Sequence, residues 1–178
     1  MRSYATRREL NYPGTEVYFD NNDLIVSKTD LKGHITYANH TFLEIAGYEE
    51  NEVIGKPHNV IRHENMPRGV FELFWSTIAK GEEIFAYVVN STKSGDHYWV
   101  IAHVTPSFDR NDEVIGYHSN RRLPRPEAIA KIEPLYEALK KEEDQHESRK
   151  DGLKAGSDLL EKFIRENGGC YDELVLAL

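Results

Sequence analysis

A chain of 178 residues with a formal charge of −8 suits one domain of ordinary size plus accessory elements, and it can bury a real core. The acidic balance opposes nucleic-acid binding, which needs Lys and Arg gathered on one face; Arg7–Arg8 and Arg121–Arg122 are short basic clusters only. Cys170 is the single cysteine, which excludes an internal disulfide and a cysteine-based zinc cluster, and no apolar run approaches the ~20 residues of a membrane span. The first residues, MRSYATRRELNYPG, lack the apolar core of a signal peptide. These features fit a soluble, cytoplasmic protein without direct membrane insertion.

Residues 1–20 show no periodicity and read as an N-terminal arm, with a short helix expected near Glu16 to Phe19. Leu24 to Thr29 is rich in β-branched residues and stops at the turn cluster Asp30-Leu31-Lys32-Gly33, after which His34 to Ala38 is the return strand of a hairpin. Asn39 stands at an N-cap position, Phe42, Ile45 and Ala46 share a helical face, and Gly47 ends that helix. Asn51 to Ile54 makes a further helical turn closed by Gly55. Pro67 suits the first turn of the next helix, with Asn65 or Met66 as its cap. In that helix Val70, Phe71, Phe74, Trp75 and Ile78 recur at the spacing of one buried face, up to Gly81.

Phe85 to Ser91 alternates as a strand, Ser94-Gly95-Asp96 supplies a turn, and His97 to Pro106 is the next strand. Asp109 to Asp112 turns the chain again into Val114 to Arg121. The resulting β-β-α-α-α-β-β-β order predicts an α+β fold: an antiparallel sheet with its helices grouped on one face. Beyond Leu123 the composition shifts, so the expected division is arm 1–20, domain 21–123 and helical extension 124–178. In the extension Pro134 should break or kink the first helix. The mixed-charge run from Lys140 to Gly152 reads as solvated helix surface or linker.

The segment from Gly55 to Val104 carries the chemistry. His58, Asn59, Arg62 and His63 in a polar loop precede a helix bearing Phe71, Phe74 and Trp75, so groups that clamp a charged or hydroxylated ligand lie beside rings that stack on a flat one. Each has a plainer reading. Asn39 can be a cap and nothing more, the aromatic stripe can be core, and His58 and His63 can be satisfied loop histidines. Arg121 can form a salt bridge at the sheet edge, whereas Arg62 between two histidines points to an anionic or hydroxyl-rich partner. No G-x-S-x-G, P-loop, G-x-G-x-x-G or H-E-x-x-H motif is present, and nothing completes a metal site around His58 and His63, so neither an enzyme nor a metal centre is expected.

The stretches SKTDLKGHITYAN, GKPHNVIRHENMP with FW downstream, SGDHYWV, GYHSNRR and EPLYEAL together resemble the PAS family of sensory domains. Within it they are similar to the flavin-binding aerotaxis and energy-taxis sensors of the Aer and CetB type. The resemblance covers about Asn21 to Leu123. It implies a five-stranded antiparallel sheet flanked by helices, FAD held noncovalently, and relay of its redox state to a membrane chemoreceptor with a cytoplasmic signalling domain. A homodimer is expected on the same ground. Carried over by position, the cofactor-binding residues are Asn39, His58, Arg62, His63, Phe71, Trp75 and Asn90, and Arg121 and Tyr98 are expected to join them. Asn90 would bond the polar edge of the ring, and Arg121 stands where related flavin domains have Gln. Alternation on the fourth strand would turn Tyr98, Val100, Ala102 and Val104 inward and Trp99, Ile101 and His103 outward, toward the arm or another subunit. His58 replaces the adduct-forming Cys of photoactive relatives, which excludes their covalent photochemistry, and Ile84 replaces a ring-stacking Trp. Two alternatives stay open: a haem held by His58 or His63 as an oxygen sensor, and a cofactor-free dimerisation module.

Overall fold

Strands β1 (Ile25–Thr29), β2 (Ile35–Ala38), β3 (Ile84–Ser91), β4 (His97–Phe108) and β5 (Val114–Arg122) form where β-branched and aromatic residues gather between turns. They pair antiparallel into one sheet in the order β2-β1-β5-β4-β3. Between β2 and β3 the chain runs through α1 (His40–Ala46), α2 (Glu50–Val53), a 3₁₀ turn at His58–Ile61 and α3 (Arg68–Ile78). Then come α4 (Pro126–Asp144), α5 (Arg149–Glu166) and α6 (Tyr171–Leu176). The computed structural model describes residues 12–178, so the Arg7–Arg8 cluster and most of the arm lie outside the described residues. Among the described residues no helix is long and apolar enough to cross a membrane.

The sheet has two covered faces. Phe42, Ile61, Val70 and Ile78 bury the inner face, whereas Trp99 on the outer face meets Tyr12 at 5.9 Å and Tyr136 of α4 at 6.0 Å between ring centroids. Tyr136 also donates a hydrogen bond to the Tyr87 carbonyl at 2.6 Å, and Asp172 of α6 accepts one from the Phe85 amide at 3.0 Å. These helices pin β3, the edge strand. That cover explains why β3 is buried almost throughout, with Tyr87 and Val89 as enclosed as Ala86 and Val88.

Four local expectations differ from the structure. Glu16 to Phe19 is extended rather than helical, because Thr15 and Val17 bond the backbone of His97 and extend the sheet there. Pro67 itself is the N-cap of α3 and offers no side-chain acceptor. Instead the Glu143 carboxylate, from the end of α4, accepts from the Arg68 amide at 3.0 Å and the Gly69 amide at 2.8 Å. The run Lys140 to Gly152 is therefore not all solvated surface, since Glu143 is fully buried. Pro134 leaves α4 continuous; it and Ala130, whose carbonyl loses its helical partner, are exposed, so water can serve that group.

Candidate functional site

The inner face and α3 enclose a cavity of ≈ 300 Å³. Alternation aims side chains into it from four strands: Ser27 and Thr29, Val88 and Asn90, Ala102 and Val104, and Tyr117, Ser119 and Arg121. Register places Ala102 opposite Arg121 and Ser27 opposite Ser119, which sets these groups side by side. Phe71, Phe74, Trp75 and Ile78 of α3 form the apolar wall. Trp75 closes the mouth, 38% exposed, with its ring over the Gly33 turn. A Cβ at Gly33 would stand 2.9 Å from that ring, so a larger residue would push the tryptophan aside.

The polar end is built on Arg121. Its Nη2 donates to Ser27 Oγ at 3.1 Å and to His58 Nε2 at 2.7 Å, so His58 accepts with that nitrogen. Burial of the His58 ring, and then the neighbouring Arg121 charge, push the imidazole well below its usual range, so it is neutral. Burial lowers Arg121 to about 10, which leaves it a cation at neutral pH. Thr29 Oγ1, Asn90 Nδ2, Ser119 Oγ and Arg121 Nη1 are buried without a hydrogen-bond partner among the described residues, and all four residues line the cavity. Arg62 stacks its guanidinium 4.1 Å over the Phe71 ring and donates to the Met66 carbonyl at 3.1 Å.

Of the residues singled out from sequence, His58, Arg62, Phe71, Trp75, Asn90 and Arg121 line the cavity, and Asn39, His63 and Tyr98 do not. The Tyr98 hydroxyl is buried beside Asn90, and burial raises its pKa. His63 accepts from the Asn65 amide and packs its ring at 5.1 Å from Tyr12, while burial lowers its pKa. Asn39 Oδ1 accepts from the Val26 and Phe42 amides, and its Nδ2 donates to the Leu24 carbonyl. It thus caps α1 and ties that helix to β1. Asn39→Ala is expected to lower unfolding free energy by ~2 kcal/mol in urea titration, the cost of a lost cap plus unmatched backbone groups. An unchanged midpoint would refute this structural role.

Ser27, Thr29 and Ser119 escaped the sequence reading. Two-residue alternation backward from Arg121 would have reached Ser119 and Tyr117, and strand pairing would then have brought in Ser27.

Residues 35–121 match the family described as PAS fold. This stretch is a PAS domain. The chain is 45% identical over 115 residues to the aerotaxis receptor of Escherichia coli (strain K12), a match spanning 65% of this chain and 22% of that receptor. Two solved structures share the PAS architecture at TM-scores above one half. The light-state LOV domain of the blue-light photoreceptor Aureochrome1 is 19% identical with a TM-score of 0.56, covering 62% of this chain and 88% of that one. A light-oxygen-voltage domain studied with a flavin analogue is 20% identical with a TM-score of 0.55, covering 69% and 87%. At such identities the likeness is one of fold.

Proposed function

We propose that this PAS domain is a noncatalytic redox sensor that holds FAD without a covalent bond and passes its redox state to a chemoreceptor. The observation that carries the reading is the pairing, around one cavity, of an aromatic wall on α3 with buried polar atoms on Thr29, Asn90, Ser119 and Arg121 that lack partners. An unmatched buried polar group costs ~1–3 kcal/mol, so four together call for a guest with a polar edge. The cavity volume lies at the lower end for small-molecule sites and suits one planar head group rather than a whole dinucleotide. A polar cleft adjoins the cavity through Asn59 and Arg62; its Arg68 and Lys140 are paired with Glu143 and Asp144 and it also carries Glu64 and Glu147, so Arg62, shared with the cavity, is its cation best placed for a diphosphate tail. The likeness to an aerotaxis receptor supports a sensory role of this kind.

When bound, the flavin would supply a ring that accepts electrons, and this chain's residues would register the change. Asn90 and Arg121 face the guest's polar edge. A change in which of its atoms donate or accept leaves one of them unmatched, at ~1–3 kcal/mol, enough to shift a two-state equilibrium. The strands lead outward to Trp99, which touches Tyr12 and Tyr136, and α3 leads to Glu143. The output is then altered contact with the receptor, in a cytoplasmic homodimer.

The visible spectrum of the purified protein tests this: a flavin's two broad bands are expected, and release by acid should yield FAD. Asn90→Ala is expected to cut flavin affinity about tenfold, the worth of one buried hydrogen bond, with the melting temperature unchanged. A sharp haem band would replace the reading by the oxygen-sensor alternative, although His58 Nε2 already accepts from Arg121. A spectrum without cofactor bands, and no uptake of added FAD, would leave the dimerisation module.

A further inference from the structure

The chain carries a net charge of −8 and 30 acidic residues, yet among the described residues no Asp or Glu lines the cavity. Its charged lining is Lys32, Arg62 and Arg121. Arg121 is 5% exposed, and its hydrogen-bond partners among the described residues, Ser27 Oγ and His58 Nε2, are both uncharged. Its other terminal nitrogen, Nη1, is buried with no acceptor among the described residues. A buried cation without a counter-charge is costly, and proteins ordinarily resolve it with a carboxylate.

We infer that Arg121 makes this cavity select the negatively charged form of its guest, with the missing counter-charge supplied by the ligand. This rests on the flavin reading and adds to it the charge state that the site prefers. One electron from an external one-electron reductant, arriving without a proton, changes the neutral ring of an oxidised flavin into an anion with no bond made or broken. Arg121 attracts only the product of that change. Lys32 and Arg62 add attraction of the same sign, and no acidic side chain of the described lining opposes it. The neutral His58 ring and Ser27 hydroxyl hold the guanidinium in place without cancelling its charge. Differential affinity for two charge states is, by linkage, a shift of the bound guest's reduction potential.

The experiment compares purified protein reconstituted with FAD against Arg121→Gln and Arg121→Lys, reduced stepwise with dithionite beside a reference dye. Affinity for oxidised FAD is measured separately by fluorescence. Arg121→Gln is expected to lower the ratio of reduced to oxidised affinity at least tenfold, which moves a one-electron couple about 59 mV negative, with oxidised binding changed much less. Arg121→Lys should restore most of the shift. Apo Arg121→Gln is expected to melt no lower than the parent, since it loses a buried unpaired charge. The parent alone provides a second check: its bound FAD must accept the first electron more readily than free FAD does. Flavin bound with the same potential in parent and Arg121→Gln, or no easier to reduce than free FAD, overturns the inference and spares the flavin reading. A parent that binds no FAD overturns both.

Discussion

Glu143→Ala is expected to destabilise the protein by ~3–5 kcal/mol, because it leaves Arg68 facing an empty pocket and uncaps α3 in the same stroke. The carboxylate is fully buried, and Arg68 is one-fifth exposed; their shortest contact, Nε to Oε2, is 2.9 Å. Arg68 Nη2 also donates to the Glu143 carbonyl at 3.1 Å, so the arginine grips both the side chain and the backbone at the end of α4. The helices approach closely here. A Cβ on Gly152 of α5 would sit 2.2 Å from the Glu143 carbonyl oxygen, so glycine is the residue that lets α5 start there. Urea unfolding monitored by far-UV circular dichroism measures the loss, and a change under ~1 kcal/mol would show that the cap is replaceable by water. Glu143→Gln separates the parts: it keeps an acceptor for the Gly69 amide but removes the charge opposite Arg68, and should fall between parent and Ala. Since α3 presents Phe71, Phe74 and Trp75 to the cavity, the same loosening should weaken FAD binding. The C-terminal helices are thereby joined to the cavity wall as well as to the outer face of the sheet.

The element order and strand positions were legible because they depend on local rules. The turns at Gly33 and Gly95, the Asn39 cap and the left-handed Gly47 follow from neighbours a few residues away. The inward set on β4 followed from alternation alone, and Ala102 and Val104 do line the cavity. Contacts across long sequence distances left no such trace. Glu143 stands among like and unlike charges in a run that any periodicity argument assigns to solvent, and its partners lie 74 and 75 residues earlier. Ser27 and Ser119 are small polar residues on strands, a type that ordinarily marks a solvated face; only the covering helix makes them interior. Asn39 and His63 were expected at the cofactor through their family positions, whereas their hydrogen bonds and ring contacts are those of the cap and the loop histidine that the plainer readings describe. The Glu16 to Phe19 segment lacked a helical pattern of its own, and backbone pairing with His97 settled it.

Ala102→Phe is expected to abolish FAD binding, weakening it at least a hundredfold, while leaving the sheet folded. Ala102 lies on β4, an interior strand of the sheet, opposite Arg121 and opposite Ala86 on β3, and its methyl group faces the cavity. A phenyl ring there would stand where the guest's ring is proposed to lie, against Phe74 and Trp75. Adding bulk to a packed interior ordinarily costs ~1–3 kcal/mol, but this interior has ≈ 300 Å³ to spare, so the melting temperature should hold or rise when both proteins are compared free of flavin. The two readouts move independently. Loss of flavin with a retained or higher melting temperature identifies the space as the binding site. Flavin retained at parental affinity would place it elsewhere, with the polar cleft beyond Arg62 as the remaining described candidate. Loss of both flavin and fold would mean that the cavity walls close in the absence of guest. Val104→Phe, one inward position along the same strand, would then have to be tolerated for the site assignment to survive.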